Sequence, residues 1–332
     1  MYDKYTDISI YLSYKWIDIK GDYMDIIVGH TGFVGSNLLK QHKFDKSFNS
    51  KNIANSYFLN PELLVYSGIR AEKFYANSNP IADFRNIENA FNNIIKINPK
   101  KIVLISTIDV YDKPINMYEV DYNILKPTEP YGINRLKLEQ LIQENFSDYL
   151  IVRLPALYGE NIKKNFIFDI INEVPSLLSE IKYMELSNNS KIISESYLKN
   201  DLGFYAIKAD ITDNEYKTIK REFISLEFTA LNFTDSRSKF QFYNLNNLWN
   251  DILLAINNNI KILNLATEPL TASEIYEYVF ERKFENELLK EPFNYDFKTN
   301  YYKLFNSSEE GYIKSKKEIL IDIKKFIEAR IW

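Results

Sequence analysis

Three side chains stand at spacings suited to proton transfer. Thr107 closes the run KIVLIST, Tyr131 opens the helical segment YGINRLKLEQ, and Arg135 follows one helical turn later on the same face. A phenol so placed can exchange a proton with a carbinol or carbonyl oxygen. A threonine hydroxyl can bond and orient that oxygen, and a guanidinium can lower the phenol pKa and donate to hydroxyls. A second cluster lies upstream, where Gly29, Gly32 and Gly35 follow directly on Asp25-Ile26-Ile27-Val28. The first glycine permits a sharp strand-to-helix turn, the second lets backbone approach a pyrophosphate, and the third allows close helix packing. The helix start then offers free amides to phosphates, which makes the segment a dinucleotide cradle. On the glycines alone, a tight turn with no ligand stays open.

Around these residues, short apolar runs alternate with amphipathic segments. Leu63-Leu64-Val65-Tyr66-Ser67 reads as a buried strand closed by Gly68. Residues 84–97 place Ile87, Ala90, Phe91, Ile94 and Ile95 on one helical side, and Ile102 to Ile105 form a central strand. Leu136, Leu138, Leu141 and Ile142 stripe a second helix, and Tyr149 to Leu154 form the next strand. The alternation predicts an α/β fold, a Rossmann-type doubly wound parallel sheet over residues 24–160. Residues 161–332 read as a mixed region, a smaller C-terminal substrate lobe with elements returning to the core; the polar stretch 188–222 suggests insertion loops. Helices are expected in LWNDILLAINNN, in TASEIYEYVFERKF with Thr271 or Ser273 as cap, and in the closing KEILIDIKKFIEARIW, with a short strand in IKILNLA. Residues 1–23 form an N-terminal extension. Either Met24 is an alternative translation start, or the extension is ordered and uses Ile8, Tyr11, Leu12 and Trp16 to cover a surface.

In order, GHTGFVG, ISTIDVY, YGINRLKLEQ, RLPALYG, FQFYNLNNLWNDI and ILNLATEPLTASEIYEYV resemble the extended short-chain dehydrogenase/reductases of the NAD-dependent epimerase/dehydratase group, whose familiar members act on nucleotide-linked sugars. The likeness runs roughly from 25 to 285 and is poorest through 175–235. It implies NADP or NAD as cofactor, bound by Gly29, Thr31, Gly32, Phe33, Val34 and Gly35. Tyr66, Ser67 and Gly68 would lie near the cofactor, Leu154, Pro155 and Leu157 would flank the nicotinamide, and Tyr131 and Arg135 would stand at its ribose. Thr107, Asp109, Asn165, Arg237 and Gln241 fall to the substrate, with Arg237 pairing a pyrophosphate and Asn244 adding a polar contact. The implied chemistry is hydride transfer on a nucleotide-linked sugar with Tyr131 as acid/base, in a keto-sugar reductase or an epimerase. Ile108-Asp109 is not the Asp-Glu pair of a dehydratase. The family normally carries YxxxK and this chain carries YxxxR, which keeps the charge but replaces a point-like ammonium with a planar fork. The alternative is a catalytically weakened NAD(P)-binding regulatory or scaffold protein.

At the second strand no acidic residue clearly grips the adenosine ribose. Asp45 arrives early; Ser50 and Lys51 could instead meet a ribose phosphate, favouring NADP, or could belong to a solvated loop. A net charge of −4 over 332 residues argues against nucleic-acid and membrane partners. The absence of cysteine removes thiolate chemistry, and His30 and His42 alone make a zinc centre improbable, so no metal is expected. No stretch approaches the roughly 18 apolar residues of a membrane span, and the start is unlike a signal peptide, so a cytoplasmic location is the default. Homodimerisation through long helices is common in the resembled family.

Overall fold

The computed structural model describes residues 24–120 and 124–331; the expected extension at 1–23 lies outside the described residues. The chain runs through β1 (Asp25–Val28), α1 (Phe33–Gln41), β2 (Lys46–Phe48), β3 (Leu63–Tyr66), the short α2 (Lys73–Ser78), the long α3 (Pro80–Ile97), β4 (Lys101–Thr107), α4 (Pro130–Asn145) and β5 (Tyr149–Leu154). With the late segment Ile262–Asn264 these strands form one six-stranded parallel sheet in the order Ile262–Asn264, β5, β4, β3, β1, β2. From β1 the chain goes first to β2 on one side and then crosses back to β3 on the other. That reversal opens a crevice at the carboxyl ends of β1 and β3, where ligands of such sheets bind.

Both faces of the sheet are covered, which is why its strands read as near-continuous apolar runs. Ile27, Val65, Val103 and Val152 point toward α1 and the later helix carrying Trp249 and Ile252, while Ile26, Leu64, Leu104 and Ile151 point toward α3 and α4. α3 starts at Pro80, four residues before the expected boundary, because proline suits a first helical position. Its Ile95, expected on the apolar side, is instead exposed.

α4 is held to the sheet by charge as well as by Leu138 and Ile142. Glu139 and Arg153 are both fully buried and paired at 2.6 Å; Ser106 Oγ donates to the same carboxylate, and Arg153 Nη1 donates to the Tyr111 hydroxyl at 2.9 Å. This network ties α4 to β4 and β5 on either side of the residues of interest.

After β5 come β6 (Ala156–Tyr158) and α5 (Phe166–Asn172). The stretch expected as insertion loops is structured. β7 (Leu177–Leu178), α6 (Glu180–Ser187), α7 (Lys191–Ser196), β8 (Tyr197–Lys199), β9 (Tyr205–Ile207) and α8 (Asp213–Ser225) make a small three-stranded unit with its own core around Ile193, Tyr197, Ile219 and Phe223. Its polar sequence reflects serine and threonine caps, such as the Thr212–Glu215 capping box that starts α8. The chain then forms β10 (Lys239–Phe240), β11 (Phe242–Asn244), α9 (Leu248–Asn257), β12 (Ile262–Asn264), β13 (Leu270–Thr271), α10 (Ala272–Phe280) capped by Thr271, and α11 (Lys316–Ile331). β11 pairs with β6, beside the end of β5, so the late chain packs directly over the C-terminal edge of the main sheet.

Candidate active site

Gly29 sits at φ +93°, a region that glycine enters without strain, and a side chain there would meet Ser67 and Gly68 backbone at 2.6 Å. A Cβ on Gly35 would lie 2.2 Å from the Gly29 carbonyl oxygen, so α1 packs against the turn only because that position is bare. No side chain caps the start of α1, which leaves its first-turn amides facing the crevice beside exposed Thr31 and Gly32; Phe33 and Val34 are half-buried. The cradle fits a pyrophosphate. Ser67 Oγ donates to the Val28 carbonyl at 2.9 Å and braces the turn, with Gly68 packed against Val28. Tyr66 is buried on the α3 face, where desolvation pushes its phenol up to about 12; it is a core residue.

Asp45 and the Ser50–Lys51 pair lie at opposite ends of the second strand. Asp45 precedes β2 at the amino end of the sheet and exchanges hydrogen bonds with Asp25, so it cannot reach the crevice. At the carboxyl end stands Asn49, whose side-chain oxygen accepts from the Lys51 amide at 2.9 Å, with Ser50 and Lys51 exposed beside it. His30 donates through Nδ1 to the Phe48 carbonyl at 2.8 Å and helps join the two turns.

Thr107 lies at the end of β4, and Tyr131 in the first turn of α4 is 6 % exposed. Gly132 makes their meeting possible: a Cβ there would fall 2.1 Å from the Asp109 carbonyl oxygen, so only glycine lets α4 approach the turn after β4 this closely. Burial raises the Tyr131 phenol above its ordinary value; the Arg135 charge, and hydrogen bonding to Arg135 and Thr107, oppose that rise without cancelling it.

Arg135 is placed differently from expectation. Its guanidinium carbon lies 4.3 Å from the centre of the Tyr131 ring, but Nη1 and Nη2 both donate to buried Asp83, at 2.7 and 3.1 Å, and Nη2 also donates to the Arg70 carbonyl at 2.7 Å. Asn134 adds a bond to Asp83 at 2.8 Å. The side chain expected to donate to a ribose is turned inward onto a carboxylate, as a planar fork favours.

A cavity of about 440 Å³ opens over the ends of β4 and β5 and is walled by Thr107, Asp109, Leu154 and Pro155 from the sheet, with Phe240 and Phe242 opposite. Asp109 is engaged on both oxygens, by Lys73 Nζ at 2.6 Å and by the Thr107 hydroxyl at 3.0 Å. Asn165 borders the cavity with its amide already committed: the oxygen accepts from Ile167 and Phe168 at the start of α5, and the nitrogen donates to the Leu157 carbonyl. Gln241 is likewise tied to Thr267 and Phe297. Arg237 stands outside the lining, with four of its five N–H donors taken by Asp235, Glu287 and the Leu289 carbonyl, and Asn244 bonds Asp322. Leu157 packs toward the sheet core rather than into the cavity. Lys73 and Asp169, which also line it, had no signal in the sequence: an isolated lysine and aspartate look like solvated surface. Among the described residues no cluster of His, Cys, Asp and Glu could hold a metal, and no helix is long and apolar enough to cross a membrane.

Residues 72–182 match the family model described as RmlD substrate binding domain. That span contains Thr107, Tyr131, Arg135 and Asn165. In three dimensions the chain is similar to a dTDP-4-dehydrorhamnose reductase from Bacillus anthracis in complex with NADP, at 17% identity over 92% of this chain and 98% of that one, with a TM-score of 0.59. A UDP-glucose 4-epimerase from Thermotoga maritima with UDP-glucose aligns at 14% identity over 92% and 98%, TM-score 0.57. The Pseudomonas aeruginosa protein RMD complexed with NADPH aligns at 13% over 92% and 99%, TM-score 0.55. The chain shares the Rossmann-like α/β fold of these reductase and epimerase structures. No curated protein sequence matches the chain. Around Tyr131 and Thr107, charged side chains are paired among themselves, Arg135 with Asp83 and Lys73 with Asp109.

Proposed function

We propose that the protein reduces a nucleotide-linked keto sugar with NADPH, Tyr131 delivering the proton. The observation that carries this reading is Tyr131, buried in the first turn of α4, within hydrogen-bonding reach of Thr107 at the end of β4. A neutral phenol can donate a proton to a carbonyl oxygen, and the Arg135 charge, which works against the rise that burial causes, favours that transfer. The nicotinamide supplies the hydride when bound. Gly29, Gly32 and the first turn of α1 would hold the pyrophosphate, and Asn49 with Ser50 and Lys51 leaves room and one cation for a ribose phosphate. Thr107 would orient the sugar carbonyl. Its hydroxyl proton lies on Asp109, so substrate entry requires that bond to be exchanged.

The relatives bearing NADP and NADPH support the cofactor choice, and the reductase and epimerase names among them support the substrate class. A second reading, an NAD(P)-binding regulatory or scaffold protein with weakened catalysis, is favoured by one observation: the cation one turn after Tyr131 is neutralised by Asp83.

The two separate by single-turnover measurement of NADPH consumption with dTDP- and UDP-linked 4-keto sugars. The reductase reading expects turnover by wild type and a loss of roughly 10²-fold or more in Tyr131→Phe with NADPH affinity kept. Tight NADPH binding with no turnover on any of these sugars overturns it in favour of the second reading.

A further inference from the structure

The cavity wall holds one charged group with neither a role in the proposed mechanism nor, among the described residues, a side-chain partner. Asp169 lies in the middle of α5, where Phe166 and Asp169, three residues apart, face the cavity while Ile167 and Ile170 face the core. It has no hydrogen-bond or ion-pair partner among the described residues. Every other charged or amide side chain of the wall is already bonded: Lys73 to Asp109, Asp109 to Lys73 and Thr107, Asn165 to the start of α5, and Gln241 to the backbone of Thr267 and Phe297.

We infer that Asp169 is the sugar-recognition residue of this cavity, accepting hydrogen bonds from adjacent ring hydroxyls of a nucleotide-linked hexose. The inference rests on the nucleotide-sugar reading above and goes beyond it by naming the contact that selects the sugar. Three properties of the site support it. A carboxylate has two oxygens and about four acceptor positions, which suits a pair of neighbouring hydroxyls. The cavity offers no unpaired cation, so it repels a diphosphate and accepts the uncharged ring. Its apolar surface, from Leu154, Phe166, Phe240 and Phe242, matches the C–H faces of a pyranose and leaves Asp169 poorly solvated. Desolvation alone pushes its carboxyl up to about 7, the mark of a group short of donors that a ligand could supply.

The test is calorimetric titration of the NADP-loaded protein with UDP-glucose and dTDP-glucose, each compared with UDP and dTDP. Wild type is expected to bind the hexose conjugates more tightly than the bare diphosphates. Asp169→Leu is expected to lose that advantage, roughly ten- to a hundredfold, with UDP and dTDP affinities unchanged, and Asp169→Asn, which keeps one acceptor, to fall between. Conjugate affinity unaltered in Asp169→Leu, or equal losses for conjugates and bare diphosphates, overturns the assignment while leaving the nucleotide-sugar reading standing. Wild type that binds neither class overturns both. Thermal unfolding of each variant confirms that a loss is not a loss of fold.

Discussion

Arg135 grips both oxygens of Asp83, a residue buried in the first turn of α3, while its guanidinium lies against the ring of Tyr131. One side chain thus joins α3, α4 and the proposed acid. Removing one partner leaves a buried charge uncompensated, and Asn134 cannot neutralise it.

Arg135→Ala is therefore expected to cost about 3–5 kcal/mol in urea unfolding, and Asp83→Ala a similar amount. The double variant should cost clearly less than the sum, since the second substitution removes an already orphaned charge. Additive losses would mean that the two act independently.

Gly132→Ala is expected to impair turnover more than its size suggests. The added methyl meets the Asp109 carbonyl oxygen, which is backbone and cannot swing away, so α4 must retreat and carry Tyr131 from Thr107. A misplacement of about 1 Å can cost on the order of 10²-fold in rate. Wild-type turnover in Gly132→Ala would show that the close approach does not position Tyr131.

The Glu139–Arg153 pair predicts an asymmetry. Glu139→Gln keeps the shape and some hydrogen bonding to Arg153 and Ser106 but leaves the guanidinium buried without its counter-ion; it is expected to destabilise by about 3 kcal/mol or more. Replacing both residues with apolar ones of similar volume should recover much of that loss. Denaturant midpoints of the three proteins decide it.

Asp169 predicts a pH signature in stability. Its carboxyl is raised from 3.8 to about 7 in the folded protein, so between those values the folded state keeps a proton that the unfolded chain gives up. Stability contributed by the protonated form is present below about pH 4 and is lost as pH rises toward 7. Asp169→Asn should thus be more stable than wild type at pH 8, by up to about 4 kcal/mol, and no more stable at pH 4. Equal gains at both pH values would contradict a desolvated carboxylate.

How much of this was legible in the sequence follows from where the polar groups lie. The strands around Ile27, Val65 and Val103 and the glycine turn were readable, because two-sided burial leaves unbroken apolar runs and the turn needs bare positions. The inner face of α4 was only half readable: Leu138 and Ile142 follow the helical period, but Asn134, Arg135 and Glu139 share that face and look like surface until Asp83 and Arg153 are brought beside them. Asp45 arrives too early for a ribose contact because it precedes β2 at the amino end of the sheet, bonded to Asp25. Arg237 read as a phosphate ligand for its chemistry alone, and Asp235, two residues before it, takes that chemistry up. Residues 188–222 hid their small sheet because its strands are two or three residues long and its helices start on serine and threonine caps.

The most direct test of the account is an equilibrium titration of nucleotide-free protein with NADPH and NADH, following the bound nicotinamide signal. Saturable binding of both, tighter for NADPH and with that preference reduced in Lys51→Glu, is the predicted result. Folded protein that binds neither would contradict the cofactor platform and the reduction built upon it.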